Sequence, residues 1–407
     1  MVKYLFPLCF FFMSCASYTQ LNQDMRNSFY QGNYRESQKK LDDLDIKDNK
    51  ETLLYHLEKS SIATQLGQHQ EARSNLNIAS DLVDQSYTKS ASEVISSFFI
   101  NESSQSYTGE DYEHTAIHTM SALSWLEDQN IISARVEAKR INQRLNFFKD
   151  QNHSYYQDGF AWMLSGLIFE ANNDDDSALI DYMKAFHAYK GNYKKFAPQG
   201  LPKTLLHSLY ALAYKKKRID ILKQIKHHIK KPAHTGSSVV VIQRDGNIAI
   251  KKSKEFITVV NEQAIRFSFP YIALSKSPFY PQTQITIAGK TYYGETAVDF
   301  NALAHNSLED RRTRLLAKGF ARVIAKANLV QEARKSFGPI GGFLANIITA
   351  ATETADTRSW SLLPQYISIK RIWLPLGEHT VQIKTKIKTL KQRVKLHQKG
   401  QIFFIQN

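Results

Sequence analysis

The sequence predicts an α+β protein in which a helical-repeat half is followed by a mainly antiparallel β half with a helical insertion. Apolar residues recur at helical spacing, with few prolines, from about residue 22 to about residue 229. Beyond residue 237, runs rich in valine and isoleucine alternate with turn-forming residues, which is typical of strands. Because strands, helices and strands follow one another there, we expect a layered α+β domain, specifically an immunoglobulin-like sandwich interrupted by helices.

Length and composition limit the class of protein. A chain of 407 residues suits two or three domains. Its 43% hydrophobic residues, with only 17 glycines and 10 prolines, exclude a disordered or collagen-like chain. The predicted segments are a signal peptide at 1–14, a TPR-like helical-repeat domain at 15–235 and a basic α+β domain at 236–407.

The second half divides into strands and helices by its apolar pattern. We expect its strands over 238–293 and 366–405 and its helices over 306–355. The valine run after Ser238, followed by Asp245-Gly246, predicts a β-hairpin whose second strand is 248–251. Gly338 and Gly341-Gly342 separate two of the predicted helices, and we expect these glycines to adopt positive φ.

The amino terminus has the pattern of a secretory signal. Lys3 precedes an apolar core, Tyr4 to Met13, that is too short to span a bilayer as a permanent helix. Ser14-Cys15 resembles the lipobox of bacterial lipoproteins, which implies cleavage before Cys15 and lipidation of that cysteine. Cys9 lies in the segment to be removed, so the mature chain would keep Cys15 alone. Ala16, where retention at the inner membrane requires aspartate, implies the periplasmic face of the outer membrane.

The first half contains self-similar helix pairs. Four residues within 161–186 have the side chains required where two helices touch: Gly166, Ala178, Tyr182 and Ala185. This unit resembles the tetratricopeptide repeat (TPR), which implies an α-solenoid that binds other envelope proteins. Further copies have the same spacing at 57–79 and, more weakly, near Gly32, Glu110 and Asn130.

The two halves carry opposite net charge. Up to Lys190 the chain has 17 lysines and arginines against 26 aspartates and glutamates, a formal charge of −9, and the remainder carries +24. This asymmetry indicates an anionic partner for the basic half, or else a basic surface that is only solvated. An anionic glycan, lipid headgroups and an acidic protein are the candidate partners, whereas nucleic acid is not expected in the periplasm.

Two predicted elements carry ordered cations. In the helix predicted from Asn306, apolar residues from Leu308 to Val330, including Phe320 and Ile324, define a buried face. The helix then exposes a candidate anion-binding stripe of Arg311, Arg314, Lys318, Arg322 and Lys326. In the strand predicted over 383–388, alternation places three lysines on one face, where they bind an anion or protect a sheet edge: Lys384, Lys386 and Lys388.

A second resemblance covers nearly the whole chain. The runs Gly338-Pro-Ile-Gly-Gly-Phe-Leu-Ala-Asn and Thr354-Ala-Asp-Thr-Arg-Ser-Trp360, with the lipobox and the repeats, are similar to a family of uncharacterised bacterial lipoproteins with N-terminal TPR repeats and a C-terminal α+β domain. The resemblance implies no particular activity. From the residues themselves, Asp356 and Arg358 would pair while Trp360 covers the core. Alternatively, Arg358 and Trp360 would line a glycan site.

None of the motifs searched for carries a complete catalytic or metal-binding signature. Ser86-Tyr-Thr-Lys89 lacks the downstream Lys-Thr-Gly of penicillin-recognising enzymes. Gly289-Lys290-Thr291 lacks the first glycine of a phosphate loop and looks like a hairpin, and Asp174-Asp175-Asp176 lacks the ligand spacing of a calcium loop.

These absences favour a non-enzymatic function. We expect no catalytic residue, no metal and no cofactor. The predicted function is an outer-membrane lipoprotein that acts as a protein-interaction scaffold in cell-envelope assembly or regulation. The alternative is a peptidoglycan-acting enzyme, or a glycan- or lipid-binding carrier, in the basic domain.

Overall fold

In the computed structural model, helices form the first half of the chain and sheets with one long helix form the second. The structure describes residues 18–44, 46, 49–87, 102–148, 157–229, 236–260, 263–274, 283–351, 355–385 and 389–406. The helices of the first half are α1 (Tyr18–Leu21), α2 (Gln23–Tyr30), α3 (Tyr34–Asp42), α4 (Thr52–Gln65), α5 (His69–Ser86), α6 (Asp111–Glu127), α7 (Ile131–Phe147), α8 (Gly159–Ala171), α9 (Asp175–Lys190), α10 (Lys203–Lys215) and α11 (Ile219–Ile225). Short 3-10 helices lie at Glu102–Ser104 and Asn192–Phe196. The predicted signal peptide and Cys15 lie outside the described residues.

The second half has ten described strands and one long helix. The strands are β1 (Ser237–Asp245), β2 (Lys252–Val260), β3 (Gln263–Tyr271), β4 (Gln284–Ile287), β5 (Lys290–Tyr293), β6 (Glu295–Asp299), β7 (Tyr366–Leu374), β8 (Gly377–Lys384), β9 (Thr389–Leu396) and β10 (Ile402–Gln406). The helix α12 (Phe300–Ala351) lies between β6 and β7, where the helical insertion was predicted.

Helices α2 to α11 form five hairpins joined by the same three-residue turn. The middle residue of each turn has positive φ: Gly32, Gly67, Gln129, Asn173 and Lys217. In each turn the amide of the third residue donates to a carbonyl five residues earlier, as from Asn33 to Ser28 at 2.9 Å. This bond is that of a Schellman motif. Since only two of the five positions are glycine, the repeat is more regular in structure than in sequence.

The pair α8–α9 packs as the sequence predicts. Gly166 lies against the ring of Tyr182, so closely that a Cβ atom on Gly166 would lie 2.5 Å from the Tyr182 Cδ1 atom. Ala178, Tyr182 and Ala185 are fully buried between the helices. The predicted contacts of this unit are therefore present, while its assignment to the TPR class stays a prediction.

Within the hairpins, the first helix is buried more completely than the second. Helix α6 buries 14 of its 17 residues and α8 buries 11 of 13, whereas α7 buries 5 of 17. A helix that is apolar on all sides must be covered on both faces. The β half supplies the second cover, because residues of α6, α8 and α10 share one apolar cluster with β1, β6 and β7.

The strands form two four-stranded sheets and a separate hairpin. The first sheet has the order β10-β1-β7-β6, and the second has the order β5-β4-β8-β9. Strands β2 and β3 pair only with each other among the described strands. Every pair is antiparallel except β1–β10, so the expectation of a mainly antiparallel β half is confirmed.

The predicted hairpin at Asp245-Gly246 is wrong. Strand β1 ends at Asp245, but it pairs with β7 and β10, and residues 247–251 form no strand. The reason is burial, because the consecutive apolar residues Val239 to Ile242 are covered on both faces. A strand of this kind belongs in the middle of a sheet with a layer on each side.

The first sheet is the middle of three layers. On one face, Val240, Ile242 and Ile367 join the apolar core of the helices. On the other face, Val239 and Val241 pack in a second core against the second sheet, whose contributions include Ile285, Ile287, Val381 and Ile383. Two sheets therefore face each other, as a sandwich requires, and the likeness to an immunoglobulin domain stays a prediction.

Helix α12 is interrupted where one of the expected glycines lies. Gly338 has φ 70° and ψ −166°, which breaks the helical geometry. The expectation for Gly341 and Gly342 is wrong, because the helix continues through them. Among the described residues, no helix is both long and apolar enough to cross a bilayer.

Replacing Gly166 by alanine tests the helix contact. The added methyl group would collide with the Tyr182 ring, so we expect Gly166→Ala to lower the free energy of unfolding by about 1–3 kcal/mol in urea titrations. Combining it with Tyr182→Leu should cost less than the sum of the two single changes, because the smaller side chain leaves room. Strictly additive losses would contradict the contact.

Candidate functional site

The predicted pair of Asp356 and Arg358 is present and buried. The Arg358 Nε and Nη2 atoms donate to the two carboxylate oxygens of Asp356 at 2.9 and 2.8 Å, and Nη1 donates to the carbonyl of Gln105 at 2.8 Å. Burial alone raises the pKa of a carboxyl group, but the bonds from Arg358 hold the pKa of Asp356 below its usual value. The pair therefore ties the segment after α12 to the helical half.

Trp360 covers the core, and the alternative of a glycan site at these residues is wrong. Trp360 is 1% exposed and Arg358 is 4% exposed, so neither side chain can reach a ligand at the surface. The indole Nε1 atom donates to the Ser61 hydroxyl at 2.9 Å. Hydrogen bonds of the motif Ala-Asp-Thr-Arg-Ser-Trp thus connect the second half of the chain to helices α4 and α6.

Two buried glutamates hold the main chain that follows Arg358. Glu58 on α4 accepts hydrogen bonds from the Ser361 amide at 2.8 Å, the Ser361 hydroxyl at 2.6 Å and the Leu362 amide at 3.0 Å. Glu113 on α6 accepts from the Trp360 amide at 2.8 Å. Burial raises the pKa of Glu113 and raises the pKa of Glu58 to about 7, although these donors favour the ionised form.

A third glutamate joins the same region to α12. Glu110 caps α6 and exchanges capping-box bonds with Glu113. Its carboxylate accepts from Lys251 Nζ and from the Arg311 guanidinium. Lys251 is 4% exposed and also donates to the Arg358 carbonyl at 2.9 Å. The acidic cap of one helix therefore neutralises two cations of the basic half.

Arg371 anchors the first sheet to the helices. It lies on β7, and its Nη1 and Nη2 atoms each donate to Glu170 of α8 at 2.7 Å. Its Nε atom donates to Ser238 at 3.0 Å, and the Tyr182 hydroxyl donates to the same Glu170 at 2.6 Å. In this bidentate arrangement, two parallel and well-aligned hydrogen bonds join the guanidinium to the carboxylate.

Sequence reasoning missed these glutamates. Each lies in a helix among apolar neighbours, as Glu58 does in Leu-Leu-Tyr-His-Leu-Glu and Glu170 does in Gly-Leu-Ile-Phe-Glu. A carboxylate inside an apolar run is a signal that it is buried and needs donors. The donors that the second half supplies could not be named, because they lie 141 to 304 positions later in the chain.

The prediction that the cation stripe of α12 forms an exposed surface is wrong. Arg311 turns toward Glu110, and Arg322 is 9% exposed, so these two side chains lie on the packed face of the helix. Arg314 is exposed and Lys318 is half-buried, while the side chain of Lys326 lies outside the described part. The helix is therefore rotated relative to the expectation.

The same rotation exposes apolar residues that were predicted to be buried. Phe320 and Ile324 are 50% and 53% exposed, whereas Leu308 and Val330 are buried. Helix α12 contacts strand β3, where the Arg312 guanidinium lies 5.7 Å from the centre of the Phe269 ring, and the Phe256 and Phe269 rings stack at 5.3 Å across the hairpin. Phe320 and Ile324 are therefore about half-exposed apolar side chains on the described part of α12.

Of the lysine row predicted in the second sheet, the described residues include only Lys384. Strand β8 ends at Lys384, which is exposed. Lys386 and Lys388 lie outside the described residues. The neighbouring strand β9, which lies within the predicted strand region 366–405, carries further exposed cations at alternate positions.

The described grooves are open to solvent and have mixed polar and apolar linings. One of about 910 Å³ is lined by His56, His69, Arg73 and Asp128 among others. Its histidines have partners, since His56 Nδ1 lies 2.8 Å from Asn75 Oδ1 and His69 Nδ1 lies 2.6 Å from Asp128 Oδ1. Across the described residues, no group of three or more His, Cys, Asp or Glu side chains is placed to hold a metal ion.

Glu58 should make the stability depend on pH. Its pKa is about 7 in the folded protein and near 4.5 when the chain is unfolded, so the folded state binds the proton more tightly. The contribution to stability is complete below pH 4.5 and is lost as the pH rises through 7, by about 3 kcal/mol at most. Urea titrations at pH 5 and 8 should show this loss in the wild type, with a smaller loss in Glu58→Gln. Equal losses in both would contradict the assignment.

Removing one partner of the Arg371–Glu170 pair should strongly lower the free energy of unfolding. Arg371→Leu leaves the partly buried Glu170 carboxylate, whose side chain is 14% exposed, without its buried cation, and we expect a loss of about 3–5 kcal/mol in the free energy of unfolding. Adding Glu170→Leu should restore much of it. As a control, Arg312→Gln breaks the surface pair with Glu309 and should cost about 1 kcal/mol or less. A double variant as unstable as Arg371→Leu would argue against the pair as the cause.

Comparison with known proteins adds no assignment. No protein-family model, no curated protein and no solved structure matches this chain. The similarity to TPR lipoproteins therefore stays a prediction from the sequence.

Proposed function

We propose that the protein is a non-enzymatic scaffold of the cell envelope, lipidated at Cys15 and held at the periplasmic face of the outer membrane. Its role would be to bind another envelope protein during envelope assembly or its regulation. The lipobox and the first residues after it support the location. The half-exposed apolar side chains Phe320 and Ile324 of α12 support the binding role.

The partner-binding surface in this proposal is the arm, defined as hairpin β2–β3 with residues 312–338 of α12. The arm carries four exposed large apolar side chains, Phe256, Ile257, Phe320 and Ile324, of which Ile257 is 76% exposed. Exposed apolar groups collected on one feature are typical of interaction sites. Exposed Lys252, Lys254 and Arg314 accompany them.

The helical hairpins are a less suitable docking surface than their TPR likeness implies. Among the described residues, the buried first helices α4, α6 and α8 already contact the strands and the segment after α12 through Glu58, Glu113 and Glu170. The inner face of these helices is therefore already covered by another part of the same chain. This burial moves the proposed partner site from the repeats to the arm.

The chemistry of the arm indicates the kind of partner. Apolar side chains beside lysine and arginine are complemented by an apolar segment flanked by carboxylates. The partner would accordingly be an envelope protein with an acidic, partly apolar docking segment. Peptidoglycan-cleaving chemistry gains no support from the buried carboxylates, since each is engaged by donors of the fold.

Site-specific photo-crosslinking in living cells tests this proposal. A photoreactive residue at Phe320 should capture a reproducible protein partner, whereas the same residue at Ile132, which is 78% exposed on α7, should not. Phe320→Ser with Ile324→Ser should reduce recovery of that partner roughly tenfold without unfolding the protein, because both side chains are exposed. Ile132→Ser is the matched control. Equal capture from both positions, or full recovery with the double variant, would contradict the arm as the docking surface.

A further inference from the structure

The outward face of the second sheet carries cations on two neighbouring strands. Four exposed side chains point from this face: Lys384 on β8, and Lys391, Arg393 and Lys395 on β9. Their common direction follows from the register, in which Lys384 lies opposite Thr389 and the residues of β9 alternate from there. Within the described residues, Lys395 is the member of this group with an ion pair, to Glu378 at 3.6 Å.

The same face continues across β4 and β5 as hydroxyl, amide and aromatic groups. Lys384 lies opposite Gln284, which lies opposite Tyr293, and Tyr293 is 54% exposed. The next transverse row across the four strands is Lys391, Gln382, Thr286 and Thr291. The inward face is apolar, so the outward one is not needed for the core.

We infer that this face binds an anionic glycan polymer of the peptidoglycan type, whose free carboxylates lie on short peptide branches of the sugar chain. Lysine and arginine form charge-assisted bonds with carboxylates. Threonine and glutamine side chains supply donors and acceptors for sugar hydroxyls. The exposed ring of Tyr293 offers an apolar surface with a polar tip against a sugar ring. A flat, open sheet admits an extended polymer, which a closed pocket would exclude.

The composition of the face favours a glycan over a lipid surface. Among the described residues of β4, β5, β8 and β9, Tyr293 is the one exposed large apolar side chain. Interfacial membrane binding requires apolar groups that enter the acyl region. The inference rests on the envelope location of the proposed function but not on the arm, so the two can fail separately.

Sedimentation with purified peptidoglycan tests the inference. The full-length protein in detergent should co-sediment with peptidoglycan sacculi, and added salt should weaken the binding because exposed ion pairs are screened. The variant Lys384→Gln, Lys391→Gln and Arg393→Gln should bind roughly tenfold more weakly. The matched control is Lys194→Gln, Lys203→Gln and Lys223→Gln, which removes the same charge from exposed sites on the helical half and should bind like the wild type.

Three further measurements identify the ligand chemistry. Sacculi whose carboxylates have been amidated should lose most of the binding, and Tyr293→Ala should weaken binding where Tyr293→Phe does not. Vesicles of phosphatidylglycerol should bind the protein without any difference between the sheet variant and its control. The inference is overturned if the wild type does not bind sacculi, if the sheet variant binds as well as the control, or if amidation has no effect.

Discussion

Buried carboxylates on the first helices hold the two halves of this protein together. Glu58, Glu110 and Glu113 are buried and Glu170 is partly buried, and each accepts bonds from the second half of the chain. A buried carboxylate without donors would cost several kilocalories per mole, so these helices are stable only when the strands and the segment after α12 are in place. The helical and β halves are consequently parts of one core.

This dependence also explains much of the charge asymmetry. The excess of cations in the second half suggests that it binds an anion. Some of that negative charge is supplied by carboxylates in the acidic half of the same chain. Lys251, Arg311 and Arg371 use their charge on glutamates of the helical half, so they are not available to an external ligand. Cations that remain at the surface include those of the arm, those on the outward face of the second sheet, and lysines of the helical half such as Lys194 and Lys223. Net charge alone does not distinguish the two groups.

The three layers also determine which surfaces are open. The strands cover the inner face of the helical hairpins, and the second sheet covers the outer face of the first. Two of the surfaces that stay open are the half-exposed apolar side chains of α12 beside a small hairpin and the polar, basic face of the second sheet. These two surfaces differ in chemistry, since one suits an apolar protein segment and the other suits a hydrated acidic polymer. A scaffold that links a protein to the cell wall would need both.

By itself the sequence determined the features that depend on near neighbours. The helix pairs, the close contact of Gly166 with Tyr182 and the bond between Asp356 and Arg358 all join residues within about one repeat, where spacing and side-chain size are decisive. Only the tertiary structure decided that β1 lies between β7 and β10, which donors reach Glu58 and Glu170, and which face of α12 is covered. Those outcomes depend on partners that are hundreds of residues away. Apolar periodicity marks the face that could be buried, but it carries no information about whether the fold brings a large enough neighbour to cover it.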